Sequence, residues 1–184
     1  GVVSVVWVLW GYSLAFGEGG PWIGNFDFLG FKGVSSTGTD IHGAGTPDMA
    51  VAIFQMMFAI ITPALITGAI AERFKFTTYL VFLVAWITFV YAPIAHWVWA
   101  GDGWLFKMGA LDFAGGTVVH INAGIAAVVA AFLVGKRRGV DRGVEPHNVP
   151  FVVLGAGILW FGWFGFNAGS GLAANGQAIS AFLV

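Results

Sequence analysis

The chain has 184 residues, of which 58% are hydrophobic and only 9% are charged. Soluble domains carry about 25% charged residues, so this composition, with a mean hydropathy of +0.85, excludes an ordinary soluble protein and indicates an integral membrane protein. The net charge of −1 gives no support to a nucleic-acid-binding surface. The sequence contains no cysteine, which excludes disulfides, thiolate metal sites and cysteine nucleophiles.

Apolar stretches recur along the chain at the length of about 20 residues that a membrane-spanning helix needs. In chain order, they predict helices at 1–16, 50–71, 76–99, 113–135 and 148–169, with another helix starting near Gly176. The first stretch begins, and the last one ends, inside an apolar run. We therefore expect one transmembrane domain over 1–184, incomplete at both ends and belonging to a longer chain. The predicted fold class is all-α, a polytopic transmembrane helix bundle.

The basic residues predict the orientation of these helices. Most lysines and arginines fall in two loops, 72–75 and 136–142, whereas the alternate loops, at about 17–48 and 100–112, hold only Lys32 and Lys107. Basic loops favour the cytoplasmic side, which places the long loop 17–48 on the outer side. A group of tryptophans then falls at the outer boundary, where aromatic belts are expected: Trp97, Trp99 and Trp104.

One ionisable ring stands inside the fourth predicted span. His120 is surrounded by apolar and small residues, and ionisable groups within a membrane are costly and tend to line a path for ions or protons. Removal from water disfavours the charged ring. We therefore expect His120 to be neutral and to face a pore.

Aromatic side chains from three predicted helices fall at the level just outside His120. Phe54 and Phe58 share a face of the second helix and Trp99 ends the third, while one stripe of the fifth helix carries Trp163, Phe166 and Ser170. Taken singly, such rings usually pack or anchor a helix at the interface. Taken together, they predict a cation site, because each ring face attracts a cation by roughly 0.5–2 kcal/mol. Ammonium, a small cation that can lose its proton, suits a neutral imidazole below the rings.

Two further residues have alternative interpretations. Asp112 stands just before a predicted helix, where a carboxylate can cap the free amides of the first turn or contact a cation directly. His96 ends the third predicted span beside Trp97, and we expect it to be interfacial and partly hydrated. His42 and His147 lie in loops and are expected to have no special role.

Several long segments resemble the ammonium transporter family (Amt/Mep/Rh). DFAGGTVVHINAG at 112–124 is similar to the signature of that family, and GYSLAFG at 11–17, GAIAER at 68–73 and GWFGFNAGS at 162–170 are similar to other family blocks in the same order. The resemblance implies a homotrimer of eleven-helix subunits, of which this chain would cover about the second to the early seventh helix.

The resemblance also implies residue roles. It implies an outer ammonium-recruitment site of four residues, Phe54, Phe58, Trp99 and Ser170. It implies a gate of Phe58 stacked on Phe166, a pore containing His120 and Trp163, and a vestibule residue, Asp112. His120 would be the first of two paired pore histidines, with its partner on a helix outside this sequence.

By this hypothesis, ammonium is gathered outside and deprotonated, and NH3 passes the pore with a separate proton. Passage of NH3 alone uses the same residues and stays open. The resemblance further implies a multi-pass protein of the cell membrane, not an enzyme, with no cofactor and no metal, and with a PII-type regulatory protein as a possible partner on the cytoplasmic side. Two other functions are considered: an ammonium sensor of the same fold, and a b-type membrane cytochrome with His96 and His120 as haem ligands.

Overall fold

The computed structural model describes residues 1–43, 45–137, 139–143 and 145–184. Arg138, one of the basic residues used to predict the orientation, lies outside the described residues. The helices are α1 (Val2–Phe16), α2 (Asp48–Ile70), α3 (Phe76–Trp86, Ile87–Tyr91 and Ala92–Trp99), α4 (Trp104–Lys107), α5 (Gly116–Val134), α6 (Val149–Gly169) and α7 (Gly176–Leu183). Short 3₁₀ turns lie at Leu29–Phe31 and Val140–Arg142.

Four helical segments are long and apolar enough to cross a membrane. They are Asp48–Ile70, Phe76–Lys107, Gly116–Val134 and Val149–Gly169, and α1 is a shorter apolar helix. Length and composition alone support this assignment. The all-α transmembrane fold class predicted from the sequence is confirmed.

Among the described residues, three helices contain a wider π-helical turn, which no sequence pattern indicated. These turns are Trp7–Gly11 in α1, Ile87–Tyr91 in α3 and Gly116–Ile121 in α5. The rings of Trp7 and Tyr91 are fully buried and meet edge to face with centroids 6.0 Å apart. The wide turns of α1 and α3 therefore pack against each other.

The structure divides into two compact units, and the first comprises Gly1–Val134. Within it, α1 packs against α2 and α3, and α2 packs against α5. Indole groups fix α1 to its neighbours: Trp7 Nε1 donates to the carbonyl of Ala52 at 3.1 Å, and Trp10 Nε1 donates to Thr88 Oγ1 at 2.9 Å. In apolar surroundings these polar groups need partners, so the bonds specify how the helices meet.

The segment 17–47, which we call the first loop, folds back over the ends of α1 and α3. The amide of Gly24 donates to the carbonyl of Leu14 at 2.8 Å, and the amide of Phe28 donates to Ser13 Oγ at 3.0 Å. Trp97 Nε1 donates to the carbonyl of a loop residue, Trp22, at 2.6 Å. The first loop is thus attached to two helices through its backbone.

The second unit, Gly135–Val184, contains α6 and α7. Each helix begins with an asparagine cap: Asn148 Oδ1 accepts from the amide of Phe151 at 3.1 Å, and Asn175 Oδ1 accepts from the amide of Ala178 at 3.0 Å. Such caps satisfy amides that the first helical turn leaves free. α6 and α7 pack on each other, with Phe164 and Phe182 stacked at 4.4 Å between centroids.

Candidate functional site

Three of the predicted site residues form one ring cluster in the first unit. Phe58 lies between Phe54 and Trp99, with centroid distances of 4.9 Å and 5.5 Å and interplanar angles of 79° and 75°. Phe58 is only 2% exposed, while Phe54 and Trp99 are half-buried. Edge-to-face pairs place the positive edge of one ring against the negative face of another. The arrangement leaves parts of two rings accessible beside a buried third.

Trp99 is held by its indole nitrogen. Trp99 Nε1 donates to the backbone carbonyl of Asp112 at 2.9 Å, which connects the end of α3 to the start of α5. Because both tryptophan faces stay clear of this bond, the ring is oriented without losing its capacity to attract a cation.

The carboxylate of Asp112 is fully used by the backbone. Oδ1 accepts from the amides of Gly115 and Gly116 at 2.6 and 2.9 Å, and Oδ2 accepts from those of Thr117 and Val118 at 2.8 and 2.9 Å. These are the amides that the beginning of α5 would otherwise leave without acceptors. Of the two interpretations left open by the sequence, this geometry supports the cap.

The turn between Asp112 and α5 depends on a glycine. Gly115 has φ +98°, a conformation that side chains other than glycine rarely adopt. A Cβ there would also lie 2.6 Å from Val119 Cγ2. The glycine lets the chain fold tightly enough for one carboxylate to reach four amides.

His120 lies in the π-helical turn of α5, and its side chain is exposed in the structure. The preceding residues, Val118 and Val119, are fully buried. Gly116 and Gly124, one turn on either side of the histidine, have open space around their Cα atoms. The imidazole is therefore on a different face of α5 from the buried valines, and bare backbone flanks it.

The other predicted site residues belong to the second unit. On α6, the rings of Trp163 and Phe166 stack at 4.4 Å with an angle of 17°, and Ser170 Oγ donates to the carbonyl of Phe166 at 2.8 Å. All three are partly exposed. The sequence predicts that these three residues lie close to Phe54, Phe58 and Trp99, and this stays a prediction.

The expectation that His96 is partly hydrated is wrong. The His96 side chain is completely buried, with Nδ1 3.0 Å from the carbonyl oxygen of Ala15 and Nε2 2.6 Å from that of Gly20. The first loop folds over the end of α3 and excludes water from it. Because both ring nitrogens are engaged, neither can bind iron, which removes the haem ligand that the cytochrome interpretation required.

His42, which was expected to have no special role, makes a specific contact. Its Nε2 lies 2.9 Å from the hydroxyl of Tyr12, and its ring meets Phe16 edge-on at 5.2 Å. Asp48 Oδ1 accepts from the amide of Ile41 at 3.1 Å, next to this ring. Burial lowers the pKa of His42 below its ordinary value of 6.5, and the Asp48 carboxylate partly offsets that effect. No sequence spacing connects Tyr12 with His42, so no pattern along the chain indicated this pair.

Comparisons with known proteins agree on one family. The profile of the Ammonium Transporter Family matches residues 1–184. An ammonium transporter from Bacillus subtilis (strain 168) is 48% identical over 182 residues, and one from Aquifex aeolicus (strain VF5) is 52% identical over 184. Each alignment covers 99% of this chain but only 44% and 42% of the relatives. The chain therefore spans less than half the length of these relatives.

Solved structures give the same result for the fold. The chain resembles the crystal structure of Candida albicans Mep2 with a TM-score of 0.91 and 40% identity, covering 99% of this chain and 41% of that one. The corresponding values for Saccharomyces cerevisiae Mep2 are 0.87 and 43%, with coverage of 97% and 42%.

Proposed function

Because the chain belongs to the ammonium transporter family, we propose that the protein carries ammonium or ammonia across a membrane. The observation that carries this proposal is the ring cluster of Phe54, Phe58 and Trp99, which is joined through the Trp99–Asp112 bond to the helix that bears His120. A cation-attracting surface on α2 and α3 is thus connected to α5, the helix that bears a titratable ring.

We propose that ammonium is recruited by Phe54, Phe58 and Trp99 together with the hydroxyl of Ser170. Rings attract a cation without adding a negative charge, by roughly 0.5–2 kcal/mol each, so the site concentrates ammonium without trapping it. Ser170 can accept a hydrogen bond from the ion, because its proton is already donated to the carbonyl of Phe166.

Below the recruitment site, we propose that Phe58 and Phe166 form a gate and that His120 and Trp163 line the pore. Carrying a bare ammonium ion through an apolar passage is very costly, which favours loss of a proton near the gate. NH3 then passes His120, and the proton moves separately. His120 lies on a face of α5 different from that of the buried Val118 and Val119, which supports a role for its imidazole in lining a passage.

Asp112 has a structural role in this proposal. Its two carboxylate oxygens already accept four backbone hydrogen bonds, so it orients α5 and, through its carbonyl, Trp99. Its negative charge also lies at the positive end of the helix dipole. We propose that Asp112 supports the recruitment site without binding the ion.

The test uses the full natural chain reconstituted in proteoliposomes, with methylammonium uptake and the current evoked by an ammonium gradient as readouts. Trp99→Leu is expected to raise the methylammonium KM several-fold, whereas Trp160→Leu, at an exposed tryptophan of α6, serves as the control. Equal KM values for Trp99→Leu and the unmodified protein would refute the recruitment site. Uptake without current would contradict the proton-coupled mechanism and would support passage of NH3 alone.

From the family resemblance alone, we also propose a homotrimer in the cell membrane, with a PII-type regulatory protein binding on the cytoplasmic side. The basic loop after α5 supports that orientation by the positive-inside rule. Native mass spectrometry of the full chain should show three subunits. Cysteines introduced into this loop should be labelled only from the cytoplasmic side.

A further inference from the structure

A histidine outside the proposed transport path has an unusual set of hydrogen-bond partners. His96 lies in the last turn of α3 with its side chain fully buried, and the oxygens facing its two nitrogens are both backbone carbonyls, those of Ala15 and Gly20. The distances of 3.0 and 2.6 Å are both within hydrogen-bonding range.

Carbonyl oxygens can accept hydrogen bonds but cannot donate them, so each of these contacts requires an N–H on the ring. A neutral imidazole has one N–H and one lone pair, while an imidazolium has two N–H groups. Either neutral tautomer would turn a lone pair of His96 toward a carbonyl oxygen at one of the two positions. Only the doubly protonated ring satisfies both contacts.

The surroundings compensate the resulting charge. Asp102 Oδ1 lies 3.4 Å from His96 Nε2, and Asp102 Oδ2 accepts from the amide of Gly20 at 2.8 Å. Among the described residues, Asp102 is the acidic side chain within ion-pair distance of this ring. Ala15 belongs to the last turn of α1, whose free carbonyls form the negative end of the helix dipole. A buried charge is tolerated when it is paired and hydrogen-bonded in this way.

We propose that His96 is an imidazolium at neutral pH, and that this charge fastens the first loop to the end of α3. Its two bonds join the last turn of α1, the loop residue Gly20 and the last turn of α3. Asp102 completes the connection by bonding to Gly20 and facing the ring. Because the pair is neutral overall, it adds no net charge that would repel a cation nearby.

The same connection makes His96 a positioning residue for Trp99. The two residues are three apart on α3, and the carbonyl of His96 accepts from the amide of Ala100 at 3.1 Å, directly after Trp99. A shift of the His96 ring would therefore move the turn from which Trp99 projects. This second step rests on the proposed function, whereas the charge of His96 rests on hydrogen-bond geometry alone.

The charge is tested by solid-state NMR on the full natural chain in lipid bilayers, with ¹⁵N-labelled histidine. The signal of His96 is identified by its loss in His96→Gln or, if that variant does not fold, by correlation with its backbone resonances. We expect two protonated ring nitrogens for His96 at neutral pH. One protonated and one bare nitrogen on His96 would overturn the proposal.

The positioning role is tested with Asp102→Asn, which keeps an acceptor for the amide of Gly20 but removes the counter-charge. We expect the His96 signal to change toward a neutral ring and the methylammonium KM to rise several-fold with a smaller change in maximal rate. Asp141→Asn, an exposed acid elsewhere in the chain, is the matched control. An unchanged KM would overturn the positioning role. Absence of all uptake by the unmodified protein would refute the proposed function, while the NMR spectrum would still decide the charge of His96.

Discussion

At the residue scale, Asp112 shows how one side chain can organise the start of a helix. The amides of four consecutive residues converge on its two oxygens, and hydrogen bonds to a charged group are stronger than those between neutral groups. Its backbone carbonyl holds Trp99 at the same time. A residue that could be taken for an ion ligand therefore has a sufficient structural explanation.

This explanation makes a prediction for two substitutions. Asp112→Ala should remove both side-chain oxygens that accept these hydrogen bonds and destabilise the fold by about 1–3 kcal/mol. Uptake should then decrease in proportion to the amount of folded protein. Asp112→Asn keeps one side-chain oxygen and should retain part of both stability and uptake. Thermal unfolding in detergent and methylammonium uptake measure the two effects. Equal loss of uptake in both variants with unchanged unfolding temperatures would instead indicate direct contact with the ion.

A second residue-scale prediction concerns the turn after α3. A Cβ on Gly103 would lie 2.6 Å from the carbonyl oxygen of Trp97 and would also meet that of His96. Since backbone atoms cannot move aside cheaply, Gly103→Ala should lower the unfolding temperature, with a cost of about 1–3 kcal/mol as for other overpacked sites. Gly101→Ala, two residues earlier and in open space, is the control and should behave like the unmodified protein. Similar unfolding temperatures for both variants would contradict the close contact.

At the element scale, the sequence predicts where the long helices lie but not their internal geometry. The second helix was predicted at 50–71 and covers Asp48–Ile70 in the structure. The two ranges agree because a bilayer requires an apolar segment of a certain length, and that length is visible in the sequence. The π-helical turns have no such signal. Each turn inserts one residue into the helical repeat, and its position depends on tertiary contacts such as that between Trp7 and Tyr91.

The first loop was even less predictable. Its glycines and polar residues indicate only a loop, yet the described part bonds to α1 and α3 at several points, including Ser13 and Trp97. Each bond joins residues far apart in sequence, without periodicity. The burial of His96 is a consequence of this loop, so a prediction that treated the loop as solvated could not find it.

The His42–Tyr12 contact predicts how the first loop responds to pH. Burial lowers the pKa of His42, so the folded loop favours the neutral ring, and the Tyr12 hydroxyl can donate to its bare Nε2. The stabilisation is complete above the ordinary value of 6.5 and is lost as the pH falls through the lowered folded value. Asp48 is the charged group beside the ring, and it reduces the size of the effect without reversing it.

Hydrogen exchange measures this response, after correction for intrinsic rates. The amides of Ile41 and His42, which donate to Asp48 Oδ1, should lose protection at acidic pH in the unmodified protein. In His42→Gln they should show no such dependence, because glutamine does not titrate. Equal acid sensitivity in both proteins would show that another group controls the loop.

At the scale of the whole molecule, the candidate site was predicted in part. Phe54 and Phe58 share a helix face and Trp99 ends the next span, and the structure brings these three rings together in one unit. Their helical spacing made the first pair predictable, whereas the bond from Trp99 to Asp112 required the three-dimensional path of the chain. Trp163, Phe166 and Ser170 belong to the other unit, where their own stacking and hydrogen bond are defined.

The proposed function assigns His120 to the lining of the pore. Its side chain is exposed and stands apart from Val118 and Val119, which are buried in the first unit. His120→Leu should make the ammonium-evoked current fall strongly because no titratable ring remains at that point, and its unfolding temperature shows whether the imidazole also stabilises the fold. Ile121→Leu, at the adjacent exposed position, is the control and should keep both properties. If His120→Leu unfolded at a much lower temperature, His120 would be a structural residue. If the current persisted with full stability, the proton would have to take a path that does not include this imidazole.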